Sequence, residues 1–237
     1  MTRLLLKLSG EALAGEAGFG IDPGVLDRVC RELREAHRLG AEIALVCGGG
    51  NLFRGAALAQ GGMDRVVADQ MGMLATGMNG LAIGDALART GVAARLFGAV
   101  EMSGVLPAYS VSEARAALDE GAVAILAGGT GNPFFTTDTA ACLRAVELGA
   151  DCVLKATKVD GVYSADPMLD AAAVRFDALS FDDVLQRDLS VMDLTAICLC
   201  RDNALPVVVF DLAAPGALTR LVKGEKVGTR IASEARQ

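Results

Sequence analysis

The 237-residue sequence contains no tryptophan, only two tyrosines and a single histidine, His37. His37 falls near the end of a predicted amphipathic helix, where we expect a surface position, so the sequence disfavours a mechanism that relies on a histidine base. Positive charge is also scarce, because 22 Lys and Arg residues face 29 Asp and Glu residues for a net charge of −7. A general nucleic-acid-binding protein needs a basic surface to neutralise phosphates, and this composition argues against that class.

Long apolar runs and paired cysteines are missing as well. The longest charge-free stretch of interest, 71–84, is short and contains Thr76, Asn79 and several glycines, so we expect no membrane span. Lys7 and Glu11 interrupt the apolar start of the chain, which argues against a signal peptide. The six cysteines show no Cys-x-x-Cys spacing, and we expect them to be small buried hydrophobic residues in a reducing cytoplasm.

Short apolar strands alternate with amphipathic helices along the chain, which is typical of a layered α/β fold with a central, mainly parallel sheet. No linker, repeat or low-complexity tract interrupts the pattern, so we expect one domain over residues 1–237. The predicted strands are 4–8, 42–47, 94–97, 122–127, 152–155, 207–210 and 229–232. The predicted helices are 23–40, 64–89, 112–120, 137–149, 180–186, 194–203 and 215–223. The predicted caps are Asp22 for the first, Ser112 for the third, and Thr137 with Asp138 for the fourth. Segment 156–171 is predicted to be irregular.

The predicted helix over 64–89 has few polar positions, so we expect most of its circumference to be buried. Small residues along it would let another helix approach closely, namely Gly72, Ala75, Gly77, Gly80 and Gly84. Two compatible interpretations follow: a central core helix and a subunit interface.

Glycine is the residue in clear excess, with 28 copies, where the usual share of about 7% predicts roughly 17. Three predicted strands end in glycine-containing loops that lead into helices, at 9–10, 48–51 and 128–132. Ligands of open α/β sheets bind at the carboxyl ends of strands, and glycine exposes backbone N–H groups that can hold phosphates. One such loop is weak support because tight turns need glycine anyway, but three at equivalent places indicate a polyphosphate site.

The sequence has no P-loop motif, no G-x-G-x-x-G after the first strand and no protein-kinase motif set. Three of the five lysines, Lys7, Lys155 and Lys158, lie at or just beyond predicted strand ends. Lys7 within an apolar strand could alternatively mark an edge or solvent-facing position. Arg54 could bind a phosphate through its guanidinium fork, and Asp138 is either a helix cap or a functional carboxylate. Phosphoryl transfer to an anionic acceptor needs alignment and positive charge rather than a histidine base, which this residue set matches.

Four segments together resemble the bacterial uridylate (UMP) kinases of the amino-acid-kinase superfamily. They are Lys7-Leu-Ser-Gly-Glu-Ala12, Gly48-Gly-Gly-Asn-Leu-Phe-Arg-Gly55, Gly129-Thr-Gly-Asn-Pro-Phe-Phe-Thr-Thr-Asp138 and Lys155-Ala-Thr-Lys-Val-Asp-Gly-Val-Tyr-Ser-Ala-Asp-Pro167. The similarity runs from about Leu4 to about Ile231, and the block from Thr130 to Asp138 is specific to UMP kinases within the superfamily. The resemblance implies a three-layer αβα sandwich and a cytoplasmic enzyme of pyrimidine nucleotide (UTP/CTP) biosynthesis. Such an enzyme transfers the γ-phosphoryl group of ATP to UMP, giving UDP and ADP, with Mg²⁺ bound to ATP.

The resemblance also implies roles for the matching residues. Lys7, Arg54 and Asp138 would be catalytic, with Lys7 bridging the transferring group and Asp138 holding the cationic groups in place. ATP would contact Lys7, Leu8, Ser9, Gly10, Gly50, Arg54, Thr157, Tyr163 and Asp166. UMP would contact Gly49, Asp69, Thr130, Gly131, Asn132, Pro133, Phe134, Phe135, Thr136 and Thr137, with Asp69 accepting a hydrogen bond from the ribose.

Regulation and assembly are implied in the same way. The segment that the family uses for activation by GTP matches Gly15, Glu16, Ala17, Gly18, Phe19 and Gly20. Local sequence alone would instead predict a glycine-rich hairpin tip for this segment. UTP would be an inhibitor, and the assembly would be a homohexamer built from dimers. Neither nucleic acid nor a membrane is expected as a main partner.

Two alternatives stay open at this point. The first is another kinase of the superfamily that acts on a carboxylate or carbamate. It would share the fold and the ATP half, so Lys7 and segment 159–167 do not distinguish it from a UMP kinase. The block 130–138 does distinguish them, and it favours UMP. A non-catalytic storage or regulatory protein on the same fold could use ATP to retain metal oxyanions, but the presence of Lys7, Arg54 and Asp138 argues against it.

Overall fold

The computed structural model describes residues 2–53, 61–170 and 172–234. The strands are β1 (Arg3–Leu8), β2 (Glu42–Cys47), β3 (Ala94–Gly98), β4 (Val123–Ala127), β5 (Cys152–Thr157), β6 (Val162–Tyr163), β7 (Arg175–Phe176), β8 (Ala178–Ser180), β9 (Val207–Asp211) and β10 (Thr229–Ala232). Eight of them form one sheet in the order β3-β4-β2-β1-β5-β9-β10-β8, and β6 pairs with β7. Every neighbouring pair of the large sheet is parallel except β9 with β10. The predicted central, mainly parallel sheet is confirmed.

Helices cover both faces of this sheet. They are α1 (Pro23–Arg38), α2 (Arg65–Arg89), α3 (Val111–Asp119), α4 (Thr137–Leu148), α5 (Phe181–Gln186), α6 (Leu194–Asp202) and α7 (Ala217–Val222). Side chains alternate between the two faces of a strand. Leu4, Leu6 and Leu8 of β1 therefore join the core beneath α1, α2 and α7. Leu5 joins the opposite core beneath α3 to α6. The result is the predicted three-layer αβα sandwich.

Two predicted helix caps and one predicted helix start need correction. Helix α3 is capped by Ser110, whose extended backbone lets its hydroxyl accept from Glu113 N–H, so Ser112 lies inside the helix. Helix α4 is likewise capped by Thr136, one residue before the predicted cap at Thr137. Hydroxyl residues occupy both the predicted and the actual cap positions, so residue type alone could not choose between them. Helix α7 begins at Ala217 after Gly216, not at Pro215.

The segment after β5 is more ordered than predicted. Strand β5 continues to Thr157 because it pairs with β9 over its whole carboxyl end. Within the segment predicted to be irregular, β6 forms an antiparallel pair with β7. Such a two-residue strand carries too little periodicity to be recognised from sequence.

Helix α2 is exposed on one side, contrary to the predicted burial around most of its circumference. Its exposed apolar residues form a band of Val66, Val67, Met71, Leu74, Met78 and Leu81. We call the last four the α2 apolar band. Gly80 allows close approach to the sheet rather than to another helix, because a Cβ there would lie 2.7 Å from Leu96 Cδ1.

The expected burial of the cysteines holds for five of the six. All six cysteines are free thiols, and five of them are buried, with Cys198 partly exposed. Within the described ranges, no helix combines the length and the apolar character needed to cross a membrane.

Candidate active site

Four adjacent strands of the sheet bring the predicted phosphate loops to one edge. The order β4-β2-β1-β5 is parallel throughout, so the carboxyl ends of these strands point the same way. The loops after β1, β2 and β4 are the three glycine-containing loops predicted from the sequence. In parallel sheets, this edge is where ligands bind.

Lys7 lies near the end of β1 between Val46 of β2 and Lys155 of β5. This central position rules out the alternative of an edge strand. Lys7 and Lys155 are in register on neighbouring strands and, by alternation from Leu5 and Val153, both face the α4 layer. The two lysines therefore lie side by side at the same edge of the sheet.

Asp138, in the first turn of α4, connects these two lysines. Its Oδ1 lies 2.8 Å from Lys7 Nζ and its Oδ2 lies 2.7 Å from Lys155 Nζ. Lys155 also donates to the carbonyl oxygen of Val191. The exposed fractions of the three side chains are only 11%, 14% and 13%. We call Lys7, Asp138 and Lys155 the lysine–aspartate bridge.

The shifts of pKa within the bridge favour the ionised form of Asp138 but not that of Lys155. Burial would raise the pKa of Asp138, but the charges of Lys7 and Lys155 outweigh it and hold that pKa below its ordinary value. Burial lowers the pKa of Lys155, with repulsion from Lys7 acting in the same direction and Asp138 opposing both. With all three groups ionised the bridge carries one net positive charge, which suits a phosphate site.

The Lys7–Gly10 turn and the triple-glycine loop 48–50 are packed directly against each other. Gly48 N–H donates to Leu8 O at 2.9 Å. A Cβ on Gly10 would lie only 2.5 Å from Gly48 O and 2.7 Å from Gly50 N, so only glycine fits there. Gly49 is equally close to α2, because its Cβ would lie 2.8 Å from Gly72 O.

The loop 128–136 runs from β4 to α4 in an unusual backbone conformation. Gly128, Gly129 and Gly131 all have positive φ, at 81°, 60° and 82°. Phe134 also has φ of 71°, which a residue with a side chain adopts only under some strain. Such backbone strain is common at ligand sites, and this loop leads straight into the amino terminus of α4.

Between α2 and this loop lies a cavity of about 310 Å³. Seven of the ten residues predicted to contact UMP line it: Gly49, Asp69, Thr130, Asn132, Phe135, Thr136 and Thr137. Gly50, predicted on the ATP side, also lines it. Gly131, Pro133 and Phe134 belong to the same loop without lining the cavity, and Phe134 is 65% exposed. Asp138 directly follows the lining residue Thr137 in the chain, but its carboxylate faces Lys7 and Lys155 and is not part of the cavity lining.

Asp69 projects from the first half of α2 and already has two partners. Both its oxygens lie 2.9 Å from Arg65 Nε, and Oδ2 accepts from Phe134 N–H at 2.7 Å. The Arg65 guanidinium also lies over the Phe134 ring, 5.5 Å from its centroid. Arg65 was missed by the sequence reasoning, although its four-residue spacing from Asp69 indicates a helical ion pair.

The residues predicted around adenosine follow β5 and do not line this cavity. Thr157 ends β5 and donates to Val159 O at 2.5 Å, which shapes the following turn. The Tyr163 hydroxyl donates to Asp160 Oδ1 at 2.6 Å, a bond that raises the pKa of Tyr163. Asp166 is exposed and accepts from Met168 N–H at 2.9 Å. This segment lies beside the Lys7–Gly10 turn, because Lys158 Nζ and Glu11 Oε2 are 3.9 Å apart.

Two other predicted features have different outcomes. Arg54 lies outside the described residues. The predicted GTP segment is not a hairpin tip: Gly15–Ala17 forms a 3₁₀ turn, and Phe19 is 70% exposed. Gly20 N–H donates to Asn51 O at 2.9 Å, which attaches the segment to the loop after β2.

A carboxylate that the sequence reasoning missed holds the amino terminus of α4. Asp193 accepts from the hydroxyls of Thr136 and Thr139, both at 2.6 Å. The same carboxylate caps α6 through Ala196 N–H. The two threonines lie more than fifty residues away in the chain, so local sequence gave no signal for this contact.

Comparison with known proteins yields concordant matches. The family model described as "Amino acid kinase family" matches residues 2–211. A protein of Marinobacter nauticus named uridylate kinase is 60% identical over 97% of this chain and 95% of its own length. One of Photorhabdus laumondii with the same name is 61% identical over 98% and 96%. The crystal structure of UMP kinase from Bacillus anthracis superposes with a TM-score of 0.96 at 38% identity, covering 99% of this chain and 97% of that one.

Proposed function

The chain belongs to the amino acid kinase family and, within it, to the uridylate kinases, and from this premise we propose that it transfers the γ-phosphoryl group of ATP to UMP, giving UDP and ADP. The observation that carries the mechanism is the lysine–aspartate bridge, whose Asp138 directly follows Thr137, one of the seven predicted UMP residues that line the cavity. A product of this kind feeds the synthesis of UTP and CTP.

Charge repulsion is the main obstacle to this reaction. The second pKa of a phosphate monoester is about 6, so UMP is mostly dianionic at neutral pH and needs no base to become a nucleophile. Lys7 and Lys155 supply positive charge where the two anions must meet. Backbone N–H groups of the glycine loops add further donors. The buried surroundings strengthen these interactions compared with water.

Asp138 acts in this account as an organiser of the two lysines rather than as a base. Its lowered pKa means that it holds a proton poorly. Its carboxylate favours the protonated form of Lys155 against the effect of burial. It also fixes both ammonium groups less than 3 Å from its own oxygens, which preorganises them for the transferring group.

The two substrates would occupy opposite sides of the bridge. UMP would lie in the cavity between α2 and the loop 128–136, with its ribose donating to Asp69. ATP would lie over the Lys7–Gly10 turn and Gly50, with adenosine near Thr157, Tyr163 and Asp166. Arg54 is assigned to the ATP side on the sequence resemblance alone.

Mg²⁺ would enter this site with the nucleotide. Among the described residues, no group of three His, Cys, Asp or Glu side chains could hold a metal ion. The carboxylate of the bridge is committed to two lysines. Phosphate oxygens would therefore hold the ion, where it neutralises charge.

The α2 apolar band supports a homo-oligomer. Met71, Leu74, Met78 and Leu81 are 38–57% exposed on one helix, and contiguous apolar surface of this kind marks protein contacts. We assign this band to a dimer contact within a hexamer. Met78→Glu should lower the molar mass in light scattering, and an unchanged mass would exclude the band as a contact. We further propose that the enzyme is cytoplasmic, that GTP activates it through segment 15–20 and that UTP inhibits it. Initial rates measured with and without each of these two nucleotides test the regulation.

A panel of acceptors tests the proposed function. Purified protein is incubated with Mg·ATP and UMP, CMP, glutamate or aspartate in turn, and ADP release is measured. We expect UMP to be the strongly preferred acceptor. Phosphorylation of glutamate but not UMP would favour a different superfamily kinase, and no turnover with any acceptor would favour a storage or regulatory protein.

A further inference from the structure

Two buried asparagines form a reciprocal pair between α2 and the loop after β2. Asn79 lies in the middle of α2 with 0% exposure, and Asn51 directly follows the triple-glycine loop with 1% exposure. Asn79 Nδ2 donates to Asn51 Oδ1 at 2.7 Å, and Asn51 Nδ2 donates to Asn79 Oδ1 at 3.0 Å. We call these two side chains the asparagine clasp. Neither of them lines the substrate cavity.

The remaining donors of the clasp bind backbone carbonyls of two different segments. Asn79 Nδ2 donates to Gly48 O at 2.7 Å, and Asn51 Nδ2 donates to Gly20 O at 2.7 Å. All four amide N–H groups are thus used. Because carbonyl oxygens can only accept, both amides have a single orientation that satisfies the network. A buried polar network that is fully satisfied holds its members in one arrangement.

The clasp is also packed against the Lys7–Gly10 turn. A Cβ on Gly10 would lie 2.6 Å from Asn51 Oδ1 and 2.5 Å from Gly48 O. The backbone of the turn therefore packs directly against the clasp, with no room for a side chain between them. Gly10 lies three residues after Lys7. A shift of the Gly48 carbonyl would therefore move the surface against which the turn that follows Lys7 is packed.

We propose that Asn79, acting through Asn51 and the Gly48 carbonyl, is a positioning residue that sets the separation of the triple-glycine loop from the Lys7–Gly10 turn. The proposal rests on the proposed phosphoryl transfer. It adds a role for α2 besides that of carrying Asp69: the middle of this helix fixes the geometry of the phosphate loops.

Loss of the clasp should affect turnover more than UMP binding. Of the residues proposed to hold UMP, only Gly49 belongs to the triple-glycine loop; the side chains of Asp69 and 130–137 are held by contacts outside it. Their contacts remain when Asn79 is replaced, so KM for UMP should change little. Misplacement of reacting groups by about 1 Å can reduce rates by roughly 10²-fold, which is the fall in kcat that we expect.

The test compares Asn79→Leu with the control Ile83→Ala. Leucine has a similar size to asparagine and no polar atoms, so Gly48 O and Asn51 lose their partner. Ile83 lies one turn further along α2, is fully buried and belongs to the apolar core. Its truncation weakens the packing of the same helix without touching the clasp. Asn79→Ser, whose side chain is too short to reach the partners of the clasp but remains polar, is a second variant in case Asn79→Leu does not fold.

Three quantities are measured for each protein: kcat, KM for UMP, and backbone amide hydrogen exchange over residues 48–53. For Asn79→Leu, or for Asn79→Ser if only that variant folds, we expect kcat to fall by roughly 10²-fold with KM within about threefold of wild type. Exchange over 48–53 should become at least about tenfold faster. Ile83→Ala should keep both kcat and this exchange rate within about threefold of wild type.

An Asn79 variant with wild-type kcat, or an equal fall in Ile83→Ala, would overturn the proposal. Failure of the wild type to phosphorylate UMP would instead contradict the proposed function. In that case hydrogen exchange alone tests the role of the clasp. Faster exchange over 48–53 in the Asn79 variant but not in Ile83→Ala would support this role, and unchanged exchange in the Asn79 variant would refute it.

Discussion

Replacement of Asp138 by asparagine would remove one charge from the lysine–aspartate bridge while keeping the shape of the side chain. In the wild type, the carboxylate lies 2.8 Å from Lys7 Nζ and 2.7 Å from Lys155 Nζ. Without its charge, two ammonium groups face each other in a buried site with no anion between them. Asparagine oxygen can accept from one lysine, but its amide group repels the other.

The size of the effect follows from this burial. Breaking a buried ion pair by removal of one partner costs about 3–5 kcal/mol. For a chain of this length, 1 kcal/mol shifts the melting temperature by about 2–4 °C, so we expect Tm to fall by roughly 6–20 °C. Turnover should fall by at least about 10²-fold, because both lysines lose the group that holds them in place.

The pH dependence of the variant is the sharper test. In the wild type, burial and Lys7 lower the pKa of Lys155, and Asp138 raises it. Removal of Asp138 therefore lowers this pKa further, and Lys155 becomes neutral at a lower pH. The residual kcat of Asp138→Asn should decline on the alkaline side at a lower pH than the kcat of the wild type does.

The ionisation of Asp138 should also make the stability of the wild type depend on pH in acid. The folded-state pKa of Asp138 is lowered, so between it and the unfolded value of about 3.9 the unfolded chain binds more protons. The stabilisation by this carboxylate is thus present above the unfolded value and is lost as pH falls through the folded value. Unfolding free energy below about pH 4 should depend less on pH in Asp138→Asn than in the wild type.

The assay is ADP release with saturating Mg·ATP and UMP from about pH 6 to about pH 9. Asp183→Asn is the matched control, because it makes the same substitution in the capping box that Asp183 forms with Ser180 at the start of α5. We expect the control to keep kcat within about twofold of wild type. An Asp138→Asn enzyme with wild-type kcat and an unchanged alkaline limb would refute the reasoning.

Three further substitutions test separate parts of the site. Lys7→Ala should lower kcat by at least about 10²-fold, the loss typical of one electrostatic stabiliser; a fully active variant would remove Lys7 from the mechanism. Asp69→Asn should raise KM for UMP and leave ATP affinity similar, as measured by titration; a defect confined to ATP would show that the two subsites are exchanged. Asp193→Ala removes the acceptor of two threonine hydroxyls and the cap of α6. Tm should therefore fall and KM for UMP should rise. Unchanged kinetics would exclude control of the 128–136 loop by Asp193.

Local sequence patterns predicted the elements and the loops well. Strands 42–47 and 229–232 and the cap Asp22 are confirmed as predicted, because alternation and capping are properties of a few neighbouring residues. The three glycine loops were recognised for the same reason. The cap positions of α3 and α4 were wrong by one or two residues, where several hydroxyl side chains compete.

Contacts between distant segments were beyond local patterns. Lys155 became part of the site only when the register of β1 and β5 placed it beside Lys7. The available signal was that both lysines lie near the carboxyl ends of their strands. Asp193 and the asparagine clasp left no comparable signal. The sequence left both a core helix and a subunit interface open for α2, since an apolar helix has the same sequence whether a core or another subunit covers it.

The most direct test of the central claim is a crystal structure of the protein with UMP and a non-hydrolysable ATP analogue. We predict UMP in the cavity between α2 and the loop 128–136, with Lys7 and Lys155 Nζ both within hydrogen-bond distance of phosphate oxygens. Asp138 should still contact both lysines. Phosphates bound away from these two lysines, or UMP bound outside this cavity, would contradict the account.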